Sequence, residues 1–245
     1  MGHWRWDCRR AWRPVFFTAM TVLGVLCTEG LAQAGELNQT VIRELLQASG
    51  WEPIGNDVSV GLSMYEKPLK SVGLSAYMGV RDLPDDVDPD RLWAVIIDID
   101  QHVQVGDKLV ESKSFGGHAG GPDSYQVLRA PRLLAGAQRY WFVHSHIELD
   151  VEGTPGRNRR CWSNIPPGAA AAERARVQAR YPDATPITLT HGCWEVLPAA
   201  PGAPARLRYL TVSDPGGALA RTAVGMLTTR TLPENIANFV DRARR

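Results

Sequence analysis

Neither sign of charge is in excess in this chain: 27 Lys and Arg stand against 26 Asp and Glu, a formal net charge of +1, with the signs interspersed. The electrostatic footprint that nucleic acid or an anionic membrane surface requires is therefore lacking, which excludes nucleic acid as a partner and leaves membrane contact only as a transient event. Signatures of the common hydrolytic and nucleotide-dependent chemistries are missing too: the sequence has no G-x-S-x-G elbow, no P-loop and no zinc-protease helix. Its glycine cluster, Gly116-Gly117-His118-Ala119-Gly120-Gly121, runs into Pro122 and a strand pattern rather than a helix. That makes it a hairpin loop and not a nucleotide cradle. Beyond the first 34 residues no run is apolar enough to cross a bilayer, which takes about 20 residues as a helix.

The first residues do carry such a run, but a short one. Arg5, Arg9, Arg10 and Arg13 precede an apolar stretch from Val15 to Leu26, and small residues then lead to Ala32-Gln33-Ala34. This order is that of a secretory signal peptide with an A-x-A cleavage site. A lipoprotein signal would want a small residue before Cys27 and finds Leu26, and the Arg9-Arg10 pair lacks the flanks of a twin-arginine signal. A cleaved signal over 1–34 and export to the periplasm or outside the cell are expected. Residues 35–245, roughly 210 in all, suit one domain and leave no room for two.

Cysteine is scarce, at four, and Cys8 and Cys27 leave with the signal. Cys161 and Cys193 remain in an oxidising compartment, where a disulfide is expected; two separate buried thiols are the alternative. Asn38-Gln39-Thr40 is a glycosylation sequon, relevant only in a eukaryotic host.

Along the rest of the chain, 36–49 places Leu37, Val41, Ile42, Leu45 and Leu46 at helical spacing before Gly50. Strand patterns over 57–65 and 72–80, with Lys67-Pro68 and Gly73 marking the turn region, predict a hairpin. Asp88-Pro89-Asp90 caps a buried helix that includes Leu92, Trp93, Ile96 and Ile97. Strands are expected at 109–115, 124–130, 139–150, 159–165, 187–197 and 206–213, an antiparallel meander. An Ala-, Glu- and Arg-rich interruption at 169–180 predicts an exposed helix. The terminal stretch 219–245 is helical in pattern, and Pro233 should divide it. Helix, hairpin, helix, meander and long terminal helix define an α+β arrangement in which a curved antiparallel sheet wraps its last helix.

In that order the elements resemble the START (steroidogenic acute regulatory-related lipid transfer) domains within the Bet v-like helix-grip group. The likeness spans nearly all of 35–245. It runs from the first helix and Trp51, through Asp98-Ile99-Asp100 and Gln138-Arg139-Tyr140 where the family commonly carries Arg-Asp, to Asp214-Pro215-Gly216-Gly217, which is similar to the family's Asp-Pro-x-Gly turn before its lid helix. Tyr140 stands in place of that Asp, and Ala218-Leu219 stand where the family often has Pro. The resemblance implies an internal hydrophobic cavity for one phospholipid, fatty acyl lipid or sterol, no cofactor, and a monomer. A helix-grip enzyme, cyclase- or hydrolase-like, on a hydrophobic substrate is the alternative.

The strand at 139–150 is the most informative. With side chains alternating, Arg139, Trp141, Val143, Ser145 and Ile147 share an inner, ligand-facing side, and Tyr140, Phe142, His144, His146, Glu148 and Asp150 the polar side. Arg139 then either anchors a ligand's polar head, as the resemblance implies, or lies on apolar surface with its head in water. On the terminal helix, Leu219, Ala223, Met226 and Leu227 form a stripe expected to face the sheet and the ligand, extended past Pro233 by Ile236, Phe239 and Val240. Pro215-Gly216-Gly217 would be its hinge. His144 with His146, and His191 with Cys193, have a spacing zinc accepts, but they read better as solvated histidines and a disulfide half.

Overall fold

The computed structural model describes residues 35–106, 108–129, 138–166, 168–214 and 221–245, with only the backbone at 221–224 and 227. The expected signal, 1–34, and the hinge at Pro215-Gly216-Gly217 lie outside the described residues. Leu37–Arg245 form one compact unit. The first helix, α1, covers 35–46. Then follow β1 (Glu52–Asp57), β2 (Leu62–Leu69), β3 (Leu74–Asp82), α2 (Pro89–Ile97) and a 3-10 turn, Ile99–Gln104. β4 (Leu109–His118), β5 (Gly121–Leu128), β6 (Arg139–Glu148), β7 (Asn158–Asn164), α3 (Ala171–Arg180), β8 (Thr185–Pro186), β9 (Leu189–Leu197), β10 (Arg206–Asp214) and α4 (Arg221–Arg244) complete the chain. The strands form a single sheet ordered β1-β2-β3-β10-β9-β7-β6-β5-β4, with the two-residue β8 beside β6. All pairings are antiparallel except that of β8, which runs parallel to β6 at Arg139 and Tyr140.

The expected first hairpin is corrected to three strands. Lys67 and Pro68 lie inside β2, opposite Ala76 and Ser75 of β3. β1 begins opposite Glu66, so at Pro68 β2 has a neighbour on one side only and can do without an N–H. Lys67 leaves the sheet to donate from Nζ to the carbonyls of Glu44 (2.7 Å) and Gln47 (3.0 Å), satisfying acceptors that the end of α1 leaves open.

Each face of the sheet has its own cover. On the concave face, Leu92, Trp93 and Ile96 of α2 and Leu232, Ile236, Phe239 and Val240 of α4 are buried with Trp194, Val196 and Leu207. α4 runs unbroken through Pro233, which corrects the expected division. Leu232 and Pro233 are both buried, so packing from either side of the proline offsets the ~3 kcal/mol a proline costs within a helix. On the convex face, Val41 and Leu45 of α1 cover Leu69, Ala76, Leu210, Val212 and the Cys161–Cys193 disulfide, which joins directly paired positions of β7 and β9.

The part of that face beside β5 and β6 lies under α3, an exposed helix as expected, with Val177 its one buried residue. Its Val177 packs with Tyr125, Val127, Tyr140 and Phe142. The Arg174 guanidinium sits 4.5 Å from the centre of the Phe142 ring. Tyr140 and Phe142 are thus buried on the side expected to be polar, and only His144, His146 and Glu148 keep that character.

Between these covers Glu195, with none of its surface exposed, pairs with Arg157 (2.9 Å), Arg159 (3.1 Å) and Arg208. Burial alone would raise its pKa, but the charges of Arg208, Arg159 and Arg157 outweigh burial and hold it below the ordinary 4.5. A depressed carboxyl contributes stability above its unfolded pKa and loses it as pH falls through the folded value. Glu195→Gln should cost about 3 kcal/mol at pH 7, since it removes the buried anion that Arg157, Arg159 and Arg208 share. In urea titrations at pH 7 and pH 3, the gap between wild type and variant should narrow at the lower pH. Replacing Cys161 and Cys193 together by Ala should cost about 3–4 kcal/mol, as expected for opening a loop of this length (32 residues apart).

Candidate ligand cavity

Between the concave face and α4 lies a cavity of about 310 Å³. α4 changes character along its described residues. Its second half presses large side chains on the sheet, and Ile236 approaches so closely that a Cβ on Gly79 would lie 2.5 Å from Ile236 Cδ1. The first half instead presents Thr228 and Thr231 to the hollow, followed by Asn235.

The wall is aromatic. Trp162, Tyr209 and Trp194 from the sheet and Phe239 from α4 line it as a continuous row, with successive ring centres 5.7, 4.1 and 4.5 Å apart. Gly192 makes the row possible, since a Cβ there would fall 2.3 Å from both the Trp162 ring and the Leu210 carbonyl oxygen. Trp162 is further held by its indole N–H, which donates to Thr190 Oγ1 (3.3 Å).

Of the residues expected to face a ligand, Arg139, Trp141 and Val143 line this cavity. Ser145 and Ile147 share their side of β6 but do not line it: Ser145 is fully buried against Arg160, and Ile147 packs on the main core. The expectation for Met226 is corrected, because 63% of its surface is exposed and it does not line the cavity. Gly225, one position back, is the residue turned to the sheet: a Cβ there would meet the Tyr77 hydroxyl at 2.5 Å. Leu219 and the side chains of Ala223 and Leu227 lie outside the described residues.

Arg139 has 7% of its surface exposed, its Nε has no partner among the described residues, and its Nη1 reaches only the neighbouring Gln138 carbonyl at 3.4 Å. Sequence reading missed a second cavity cation. Arg160 projects from β7 into the hollow and is 5% exposed. Its Nε and Nη2 donate to Ser145 Oγ (both 3.2 Å) and its Nη1 to the Ile96 carbonyl (3.2 Å). Burial lowers its pKa to about 10. The period-2 rule that placed Arg139 places Arg160 and Trp162 on one face of β7 as well, so the signal was present.

His102 packs beside Arg160. Its Nε2 meets the same Ile96 carbonyl (3.1 Å) and its Nδ1 meets Gln126 Nε2 (3.1 Å). Burial and then the charge of Arg160 push His102 down to about 3, so it is neutral at ordinary pH. Burial pushes the Tyr209 phenol up to about 12, and it is neutral too.

The histidines considered for metal separate as follows. Cys193 is consumed by the disulfide, and His191 Nε2 bonds Asn38 Oδ1 (2.7 Å). His146 faces Glu148 at 3.2 Å on the surface, while His144 Nδ1 pairs with Asp123 Oδ1 (2.5 Å). His118, at the end of β4, brings a third donor within 4.8 Å of those two.

No family model and no curated protein matches the sequence. Solved structures match the fold. Human STARD10 superposes with a TM-score of 0.64 at 14% identity, over 84% of this chain and 78% of its own. Human StAR-related lipid transfer protein 5 gives 0.63 at 10% identity, covering 89% and 97%. A STAR-related lipid transfer protein fragment from Xanthomonas axonopodis gives 0.60 at 16% identity, covering 80% and 100%. The chain has the START helix-grip fold.

Gly192→Ala should displace the Trp162 ring and open the aromatic row. A changed near-UV circular dichroism spectrum with the far-UV spectrum retained is expected, and an unchanged near-UV spectrum would show the row does not depend on this glycine.

Proposed function

We propose that this protein is an exported, monomeric carrier that encloses one lipophilic molecule, a phospholipid, fatty acyl lipid or sterol, without transforming it. The observation that carries this reading is the aromatic-walled cavity between the sheet and α4. Apolar enclosure with few polar contacts is how small hydrophobic guests are held. Removing ~300 Å² of such a guest from water is worth about 7 kcal/mol, so enclosure supplies most of the affinity and polar groups choose among guests. The shared fold with proteins named for lipid transfer supports the reading. The Cys161–Cys193 disulfide is consistent with an oxidising, extracytoplasmic location.

In this reading Trp141 and Val143 are guest-contacting wall, Arg139 is a polar anchor near the start of β6, and the first half of α4 is the lid that must open. Mass spectrometry of organic extracts of the purified protein should recover an intact lipophile near one per chain. An empty cavity with turnover of a presented ester or polyketide would instead establish the enzyme reading. Val143→Phe, which fills the cavity, should reduce loading at least tenfold while the far-UV spectrum stays unchanged. Arg139→Leu should weaken binding of the recovered lipid, and unchanged affinity would remove the anchor role.

A further inference from the structure

The cavity holds cations without anions. Among the described residues, Arg139 and Arg160 line it together with Lys108 and Arg129, and no Asp or Glu does. Lys108 has its own partner outside, Glu234 on α4. Arg160 has none: its three hydrogen bonds go to a hydroxyl and a carbonyl. The Ile96 carbonyl lies at the C-terminal end of α2, where the helix dipole offers roughly half a negative charge, so the compensation is partial. The neighbouring ring of His102 and the hydroxyl of Tyr209 add no negative charge. Elsewhere the fold meets a buried charge with opposite charge, as the three arginines around Glu195, or with carbonyls alone, as at Lys67. Arg160 differs from both in bordering open space.

A guanidinium has five N–H groups, of which the three bonds named use three. Two remain, and Ser145 and Ile96 fix the plane in which they are presented. Beside Arg160 on the same face of β7 stands Trp162, where the aromatic row begins. The volume of about 310 Å³ sits at the low end of small-molecule sites, ~300–1,000 Å³. It admits one chain or one compact ring system and not a pair of acyl chains.

We infer that the guest is a single-chain anionic amphiphile whose carboxylate, or an equivalent compact anion, pairs with Arg160 while its tail lies along the Trp162–Tyr209–Trp194–Phe239 row. This rests on the carrier reading and narrows it: the anion the cavity lacks is supplied by the guest, which disfavours sterols, two-chain phospholipids and cationic lipids. Arg160 is the head-group seat because its guanidinium is held in place, whereas Arg139 has one weak bond to its neighbour's carbonyl and so serves as a secondary contact.

Isothermal titration of the delipidated, disulfide-intact protein with dodecanoate, dodecanol and dodecyltrimethylammonium tests this. Dodecanoate should bind at least tenfold more tightly than dodecanol, and the ammonium compound more weakly than either. Arg160→Met, which keeps an apolar stem and removes the charge, should erase the preference for dodecanoate over dodecanol and leave dodecanol within threefold of wild type. Equal affinity of the wild-type protein for dodecanoate and dodecanol overturns the anionic assignment and leaves the carrier reading standing. So does an undiminished preference in Arg160→Met. No binding of any of the three, or of cholesterol, overturns the carrier reading and this inference with it. The wild-type comparison decides even where the variant fails to fold.

Discussion

Everything in this molecule's functional half follows from how α4 seats on the sheet. Leu232, Ile236, Phe239 and Val240 are buried on the concave face, and the absence of a side chain at Gly79 lets Ile236 come down onto the strand. Once that end is seated, the course of the continuous helix toward its first turns is set. Among its described residues there, Thr228 and Thr231 line the hollow with side chains shorter than those of the seated end. The described lining residues of α4 thus shorten from Phe239 to Thr228 over a packed support. The support is itself stiffened on the far side of the sheet, where a disulfide beneath α1 and the Glu195–arginine network beside it tie β7, β9 and β10 together.

Much of this was legible in the sequence, and what was not has identifiable causes. Alternation along β6 put Arg139, Trp141 and Val143 on one side, and they do line the cavity, because period two is a property of the strand alone. The opposite face could not be read the same way. Tyr140 and Phe142 looked like members of a polar face until α3, a segment with few apolar residues, covered them with Val177 and the flat of Arg174. Proline misled twice for one reason: its cost is local, and tertiary context overrode it. Pro68 stands where β2 has a single neighbour, and Pro233 is flanked by packed turns of α4. Met226 failed because a stripe of apolar residues does not say which of two adjacent helical positions faces inward; the fit of Gly225 over Tyr77 does.

The cavity's chemistry emerged only in three dimensions. Arg160 and Ile96 are 64 residues apart, and their bond depends on α2 ending over β7. From this juxtaposition comes an aromatic-walled space carrying positive charge that no described carboxylate lining it neutralises. Apolar walls favour any greasy guest about equally, whereas an unpaired buried cation discriminates strongly, since a polar group left without its partner is costly. Affinity and selectivity thus come from different residues: the aromatic row for the first, the guanidinium for the second.

The central claim is that the hollow receives one guest. Trp141, Trp162 and Trp194 line it, so their emission reports occupancy directly. Titration with an acyl chain brominated at mid-length should quench that emission and saturate at one equivalent per chain. Quenching that rises linearly without a plateau, or none at all, would contradict the account.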